Sequence, residues 1–291
     1  VKLILTLVFT IFTAPELAAQ IPNTDFENWT ASPGYESPNG WGTVANVTDG
    51  VAVTCEKSTD AHSGSFSAKL FTADLGFLRA PGVVVTGVID LFTNGAIGGF
   101  PYSQRPAALT GFYKYSPDAG DSCVVFGFLS RYDAQGDSAE VVGLFFWQGA
   151  AATNWSSFTA PIAYLSAAVP DTGQISISAS LDFSNPGLQS VMFVDDIAFS
   201  GSVSAPEIPR HASVYIQIAP NPVVDELRLH FDSPEPVQLL LVNASGQLLR
   251  SQVVLSGASI GVADFDTGIY QVFLLTRDGG QLLGQRRFIK Q

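Results

Sequence analysis

Short runs of alternating apolar and polar residues, and others that are apolar throughout, recur along the chain with Gly, Pro, Asn and Asp between them. No 3.6-residue period is sustained anywhere, so the pattern predicts strands and no long helix. Nine candidate strands fall before residue 200: Val51-Thr54, Phe66-Phe71, Val84-Phe92, Ala108-Tyr115, Cys123-Tyr132, Val141-Gln148, Ser157-Tyr164, Gln174-Leu181 and Val191-Phe199. Antiparallel strands in such number predict a jelly-roll β-sandwich. Within them, Leu144-Phe145-Phe146 before Trp147 reads as a strand buried on both faces. Further on, Leu227, Leu229 and Phe231 alternate with Arg228 and His230, and Asp278-Gly279 sits where a hairpin turn would. That alternation predicts a small immunoglobulin-like sandwich with one buried and one wet face per sheet. The fold class read from the chain is therefore all-β, a large sandwich followed by a small one.

Boundaries follow from breaks in this pattern. Lys2, the apolar run Leu3 to Thr13 and the small residues up to Ala19 have the three regions of a signal peptide over 1–19. The run is shorter than the ~20 residues a bilayer span needs, and no later stretch is long enough, so no transmembrane segment is expected in the mature chain. The first sandwich is assigned to 20–200. Ser200-Gly201-Ser202 through Pro206 and Pro209 interrupts the strands, placing a linker at 201–213 and the second sandwich at 214–291.

Charge changes the picture of partners. Residues 21–205 hold 17 Asp and Glu against 6 Lys and Arg, a balance of −11, whereas 206–291 hold 8 against 7. An acidic surface repels phosphate backbones, so nucleic acid is not an expected partner, while neutral sugars and divalent cations stay compatible. The cysteines are Cys55 and Cys123. Export permits a disulfide between them, and their apolar neighbours fit two buried thiols equally well.

The last quarter carries three ordered motifs: Ile218-Ala219-Pro220-Asn221-Pro222, then Asn243-Ala244-Ser245-Gly246, then Thr267-Gly268-Ile269-Tyr270, before a basic end at Arg286-Arg287-Phe288-Ile289-Lys290. In this order they resemble the type A C-terminal sorting domain of the type IX secretion system of Bacteroidota. The resemblance implies passage through the periplasm to the outer surface or medium, with 214–291 engaging the secretion machinery.

In the first sandwich, Gly98-Gly99-Phe100-Pro101-Tyr102-Ser103-Gln104-Arg105-Pro106 followed by Leu109-Thr110-Gly111-Phe112-Tyr113-Lys114-Tyr115 resembles the "putative carbohydrate metabolism domain" family, itself similar to carbohydrate-binding jelly rolls. Asn23 to Trp29, Trp41, Ala61-His62-Ser63-Gly64, Trp155 and Val194-Asp195-Asp196-Ile197 extend the likeness across the domain. It implies a glycan ligand. Sugar rings stack their apolar C–H faces on aromatics while polar groups orient the hydroxyls. Tyr113 and Tyr115 share one face of a strand, opposite Phe112 and Lys114. The expected binding residues are Tyr102, Arg105, Tyr113, Tyr115, Arg131 and Trp155, set against the plainer reading that strand Tyr and Trp pack inside. Trp147 fits the core better. The loop Ser32 to Gly40, carrying Tyr35 between Trp29 and Trp41, is a candidate groove edge.

The same resemblance implies a structural calcium held by Glu27 and Asp195, with Asp25 nearby and backbone carbonyls around Lys57 or Ser63. The alternative for these acids is loop capping. Neighbouring strand residues face opposite sides, so Asp195 and Asp196 are not expected to point together. Catalytic signatures are thin: His62 lies in a Ser-Gly turn, His211 in the linker and His230 on a strand, and neither zinc spacing nor a phosphate loop occurs. Asp137-Ser138-Ala139 resembles a short O-glycosylation acceptor. Together these features point to a secreted or surface glycan-binding protein without catalysis. The alternatives are a glycan-processing enzyme and a structural or adhesive surface protein.

Overall fold

The computed structural model describes residues 20–76, 78–90, 95–118, 120–133, 138–183, 185–203, 214–243, 248–277 and 281–291. The signal-peptide segment 1–19, most of the linker, the Asn243-Gly246 and Asp278-Gly279 turns beyond Asn243, and Asp137 of the acceptor pattern lie outside the described residues.

The described residues from 20 to 200 build one sandwich from ten principal strands: β1 (Trp41–Thr43), β2 (Cys55–Ser58), β3 (Ser67–Phe71), β4 (Val83–Thr86), β5 (Ala108–Ser116), β6 (Cys123–Asp133), β7 (Ser138–Gly149), β8 (Ala152–Tyr164), β9 (Thr172–Ser178) and β10 (Val191–Ser200). They pair in the order β1-β4-β9-β6-β7-β8-β5-β10-β3-β2. The bend comes inside β8. Its first part pairs with β5, from Ala152 opposite Tyr115 to Pro161 opposite Ala108, and its end pairs with β7, where Tyr164 faces Gly143. One strand thus serves both layers. Between the layers Leu70, Leu109, Val125, Leu129, Phe145, Ile175, Ile177, Met192 and Val194 fill the interior with almost no exposure.

Most candidate strands are found, the one expected from Ser157 beginning already at Ala152 and the one expected to reach Leu181 ending at Ser178. Val51-Thr54 is not a strand, and the chain becomes extended only at Cys55; Val84-Phe92 is split at Gly87, whose φ of +121° and contact with the Ile97 carbonyl exclude a side chain. The stretch expected to be a loop between Trp29 and Trp41 forms a hairpin, Trp29–Ser32 against Tyr35–Pro38, turning at Gly34. Trp41 is then a core residue, packing against Phe26 at 5.3 Å and donating Nε1–H to the Pro22 carbonyl at 2.9 Å.

Seven strands follow: β11 (Ile216–Ala219), β12 (Glu226–Phe231), β13 (Val237–Asn243), β14 (Leu248–Val254), β15 (Ala258–Gly261), β16 (Gly268–Leu275) and β17 (Leu282–Lys290). They form a three-stranded sheet, β11-β12-β15, and a four-stranded sheet, β14-β13-β16-β17. The ordered motifs have structural duties here. Asn221 accepts from the Ile289 N–H at 2.9 Å, and Val223 bridges Lys290 in parallel, so the Pro-Asn-Pro turn pins the final strand. Tyr270 stacks between Phe265 and Phe288 at 5.2 and 5.4 Å and donates to the Asp266 carbonyl.

The expectation of one wet face per sheet holds for β12, where Leu227, Leu229 and Phe231 are buried and Glu226, Arg228 and His230 exposed. It fails for β13 and β16. Leu239, Leu241, Val272 and Leu274 face the small core, while Leu240, Val242, Phe273 and Leu275 are buried on the opposite side. What covers them is the outer face of the large sandwich: Val124, Phe126 and Phe128 of β6, Leu144 and Phe146 of β7, and Ala163. The strand read as buried on both faces is so because the second unit sits on it. No strand from one unit pairs with the other among the described residues.

Candidate functional site

Alternation along β5 decides which residues meet solvent. Tyr113 and Tyr115 do share a face, and it is the inner one: they are 8 % and 2 % exposed, in the core with Cys123 and Phe158. Tyr113 meets Trp147 edge-on at 4.7 Å, and Tyr115 donates its hydroxyl proton to Ser190 Oγ at 3.3 Å. Burial pushes both phenols above their usual pKa. These rings hold the sandwich together and offer no face to a ligand. Tyr102 is likewise buried, 4.6 Å from Phe199 and edge-on to Phe100.

Arg105 also turns inward. Its guanidinium lies 3.9 Å from the centre of the Tyr164 ring and donates to the carbonyls of Ser166 and Ala168 at 3.0 and 2.5 Å. It ties down the loop after β8. The Gly98-Gly99 pair of the signature is explained nearby, because a Cβ on Gly99 would stand 2.4 Å from the Gly173 carbonyl oxygen. Arg131 is exposed on β6, opposite Glu140 in the register. Of the six residues expected to bind sugar, Trp155 alone joins an aromatic cluster on a solvent-facing sheet.

That cluster is the other face of β5. Phe112 and Lys114 point outward beside Phe193 of β10 and Trp155 of β8, and all four are half-buried. Trp155 lies in β8 and not in the loop before it. Its Nε1–H donates to Asp60 Oδ1 at 3.2 Å, the other oxygen of Asp60 takes the Lys114 ammonium, and that ammonium lies 5.9 Å from the Trp155 ring and 5.5 Å from the Phe193 ring. His62 stacks on Phe112 with ring centres 3.5 Å apart and meets Trp155 edge-on at 5.9 Å. The result is a shallow platform of aromatic edges around a neutralised ion pair.

Below its rim lie the acids expected to bind calcium. Glu27 Oε1 accepts from the N–H groups of Ser65 and Phe66 at 2.6 and 2.8 Å. Asp195, fully buried, accepts from His62 and Ser63 through Oδ2 and from Asp196 through Oδ1. Burial raises its pKa, outweighing those N–H donors. Asp25 caps its own turn by accepting from the Glu27 N–H at 3.4 Å. A cation site wants oxygens converging on one point, and here the oxygens converge on amide hydrogens. Among the described residues no group of three or more His, Cys, Asp or Glu is placed to hold a metal. In this structure Glu27, Asp195 and Asp25 serve as the loop caps of the alternative reading.

Asp195 and Asp196 depart from the expected opposition. A bulge between Thr110 and Phe112 in the β5–β10 register, with Asp196 at φ +51°, turns both carboxylates to the 62–63 loop. Asp196 accepts from Ser63 Oγ at 2.8 Å and lies 2.6 Å from His62 Nδ1. The Asp195–Asp196 pair therefore fixes the loop that carries His62 to the platform. Sequence reading missed Asp60, Phe112 and Phe193 as site residues, although the alternation of Phe112 with Tyr113 and of Phe193 with Val194 is visible. Cys55 and Cys123 are free, buried thiols, so the disulfide alternative gives way, and burial drives the pKa of each far up.

A concavity of about 290 Å³ opens where the two units meet, with Tyr132, Asp171 and Gln174 on one side and Asn243 and Gln271 on the other.

Residues 217–290 match the family model of the secretion system C-terminal sorting domain. That segment is a sorting domain, and it ties the chain to export. No curated protein matches the chain. Among solved structures, a putative glycoside hydrolase from Bacteroides thetaiotaomicron superposes with a TM-score of 0.52 at 18 % identity, over 64 % of this chain and 72 % of that one. It shares the fold. The adhesin domain of Epf from Streptococcus pyogenes, at 12 % identity over 77 % and 76 % of the two chains, reaches a TM-score of 0.23. A β-1,2-glucanase from Parabacteroides distasonis reaches 0.25 at 9 % identity, over 81 % of this chain and 34 % of that one. Neither score is high enough to bear on the site.

Proposed function

We propose that this exported chain is a non-catalytic glycan-binding protein of the cell surface or medium, and that its ligand lies across the Trp155 platform. One observation carries the reading: a half-exposed Trp155, with Phe193, Phe112 and His62 around it, shares a solvent-facing sheet with hydrogen-bonding groups that are already charge-balanced, Asp60 and Lys114. Aromatic edges suit the apolar faces of a pyranose, and a paired carboxylate and ammonium accept and donate to hydroxyls without demanding a charged ligand. The description of the structural neighbour as a glycoside hydrolase supports the same chemical class.

Binding without hydrolysis is favoured because the acids near the platform are committed. Asp60 is held by Lys114 and Trp155, Asp196 by Ser63 and His62, and Asp195 and Glu27 by backbone N–H groups. Hydrolysis asks for two carboxylates facing one bond across ~5 to 9 Å, one of them free to move a proton. His62 meets Asp196 through Nδ1, the neighbouring Ser63 hydroxyl is itself given to Asp196, and among the described residues no hydroxyl is hydrogen-bonded to the histidine Nε2, where a nucleophile would have to stand.

The test is a glycan array probed with the full chain, followed by titration of the best ligand against Trp155→Ala. Loss of one well-placed aromatic is expected to weaken binding about 10-fold, or ~1.4 kcal/mol, with unfolding unchanged. A variant that binds like the parent would remove the platform from the account, and an array without any bound glycan would remove the ligand class.

A further inference from the structure

The large sandwich has two outer faces, and only one is made for water. On the β6–β7 face, Val124, Phe126, Phe128, Leu144 and Phe146 are each 7 % exposed or less, and they share one buried cluster with Leu240, Val242, Leu248, Phe273, Leu275 and Leu282 of the sorting domain. Leu181 and Phe183 pack at its border. The side chains of this cluster are all aliphatic or aromatic.

The sequence supports this contact independently of the arrangement of the two units. Cys123 to Leu129 and Leu144 to Phe146 are apolar at consecutive positions, as are Leu239 to Val242 and Val272 to Leu275. A strand that is apolar on both faces needs two partners, since one face alone closes its own core. Each unit has such strands, so each needs a cover that it does not itself supply. The exposed strands of the same units are built differently: β12 alternates strictly, and the platform face carries Lys114, Lys69 and Glu56.

We propose that the sorting domain is the seated partner of the body, an interaction surface satisfied within the chain, so that the connection at 204–213 is not what keeps the units together. Cutting it leaves a two-piece complex. The consequence for export is geometric. With the β13–β16 face occupied, an export partner meets the sorting domain from its remaining surfaces, among them the exposed Arg228 and His230 of β12 and Arg286 and Arg287 of β17.

The experiment keeps the full chain and inserts a protease recognition sequence between Ala205 and Pro206. After cleavage, size-exclusion chromatography with light scattering at micromolar concentration is expected to show one 1:1 species, little changed in 1 M NaCl because the cluster that joins the pieces is apolar. Fragments that separate would overturn the proposal. Phe126→Asp and Phe273→Asp, on opposite sides of the contact, are each expected to release the fragments, and Val253→Asp on an exposed position to leave them joined. Should an aspartate variant lose its β-sheet circular dichroism, Phe126→Ala and Phe273→Ala replace it, with at least a 10-fold faster dissociation expected; an unchanged rate in both would count against the contact.

Discussion

The two outer faces of the body sandwich are made from the same kind of strand and do opposite things. On the β5–β10 side, apolar residues point in and the outward positions hold Phe112, Lys114, Phe193 and Lys69, half-exposed and interleaved with charge. On the β6–β7 side the outward positions are as apolar as the inward ones, and the sorting domain closes over them. An aromatic therefore means something different on each side. Phe146 is core by virtue of a partner, whereas Phe193 is surface with a ring to offer. The difference lies in what stands between the rings: charged neighbours keep a face in water, and their absence calls for a cover.

The largest effect that would break this comparison is on stability. Phe146→Ala should cost about 3 to 5 kcal/mol in urea unfolding and Phe193→Ala less than about 1, because only the former opens a cavity in a closed cluster. Equal costs would mean that the β6–β7 face is wet. Next comes the loop that shapes the exposed face. Asp195→Ala strands the N–H groups of His62, Ser63 and Asp196 and is expected to cost about 1 to 3 kcal/mol, with glycan affinity falling as His62 loses its place.

A smaller effect concerns pH. Because the folded pKa of Asp195 is raised, the folded state holds this proton more tightly than the unfolded one. Its contribution to stability is greatest below the ordinary carboxylate range and is lost as pH rises through the folded value. The gap in unfolding free energy between parent and Asp195→Asn should therefore change over that window, as followed by urea titration at successive pH values; a gap constant from pH 3 to 7 would contradict the burial assigned to this group. The smallest expected effect is none. Excess chelator should leave the melting temperature unchanged, since Glu27 and Asp195 are held by amides, and a calcium-dependent melt would show that the loop gives up those bonds. Thiol titration of the unreduced, denatured chain should likewise find both Cys55 and Cys123, and little in the native state.

Much of the fold was written in period-two alternation. Leu227-Phe231 is legible as a strand because it repeats its apolar residues at the spacing of a pleat, and Ala108-Tyr115, Cys123-Tyr132 and Val191-Phe199 because short, largely apolar runs are bounded by turn residues. The direction of the faces was not. Tyr113 and Tyr115 against Phe112 and Lys114 is a choice between two plausible sides, and the side follows from which layer lies opposite, a fact held by strands far away in sequence. The same limit hid Asp60, whose role depends on Lys114 and Trp155, 54 and 95 residues further on. Asp195 and Asp196 misled for a local reason: ordinary strand geometry sets neighbours apart, and a bulge with one left-handed residue cancels that rule. Arg105 looked like a ligand-binding cation because nothing in the sequence announces Tyr164 beneath it.

The passage of β8 from one layer to the other has a consequence for recognition. Trp155 sits near one end of a continuous backbone whose far end is locked at Tyr164 against Gly143, beneath the seated sorting domain. Such a span joins the two layers covalently along this edge, so the aromatic shelf, the surface proposed for a glycan, is anchored in both. An encounter there should cost little reorganisation, and affinity should track the shape of the glycan more than any adjustment by the protein.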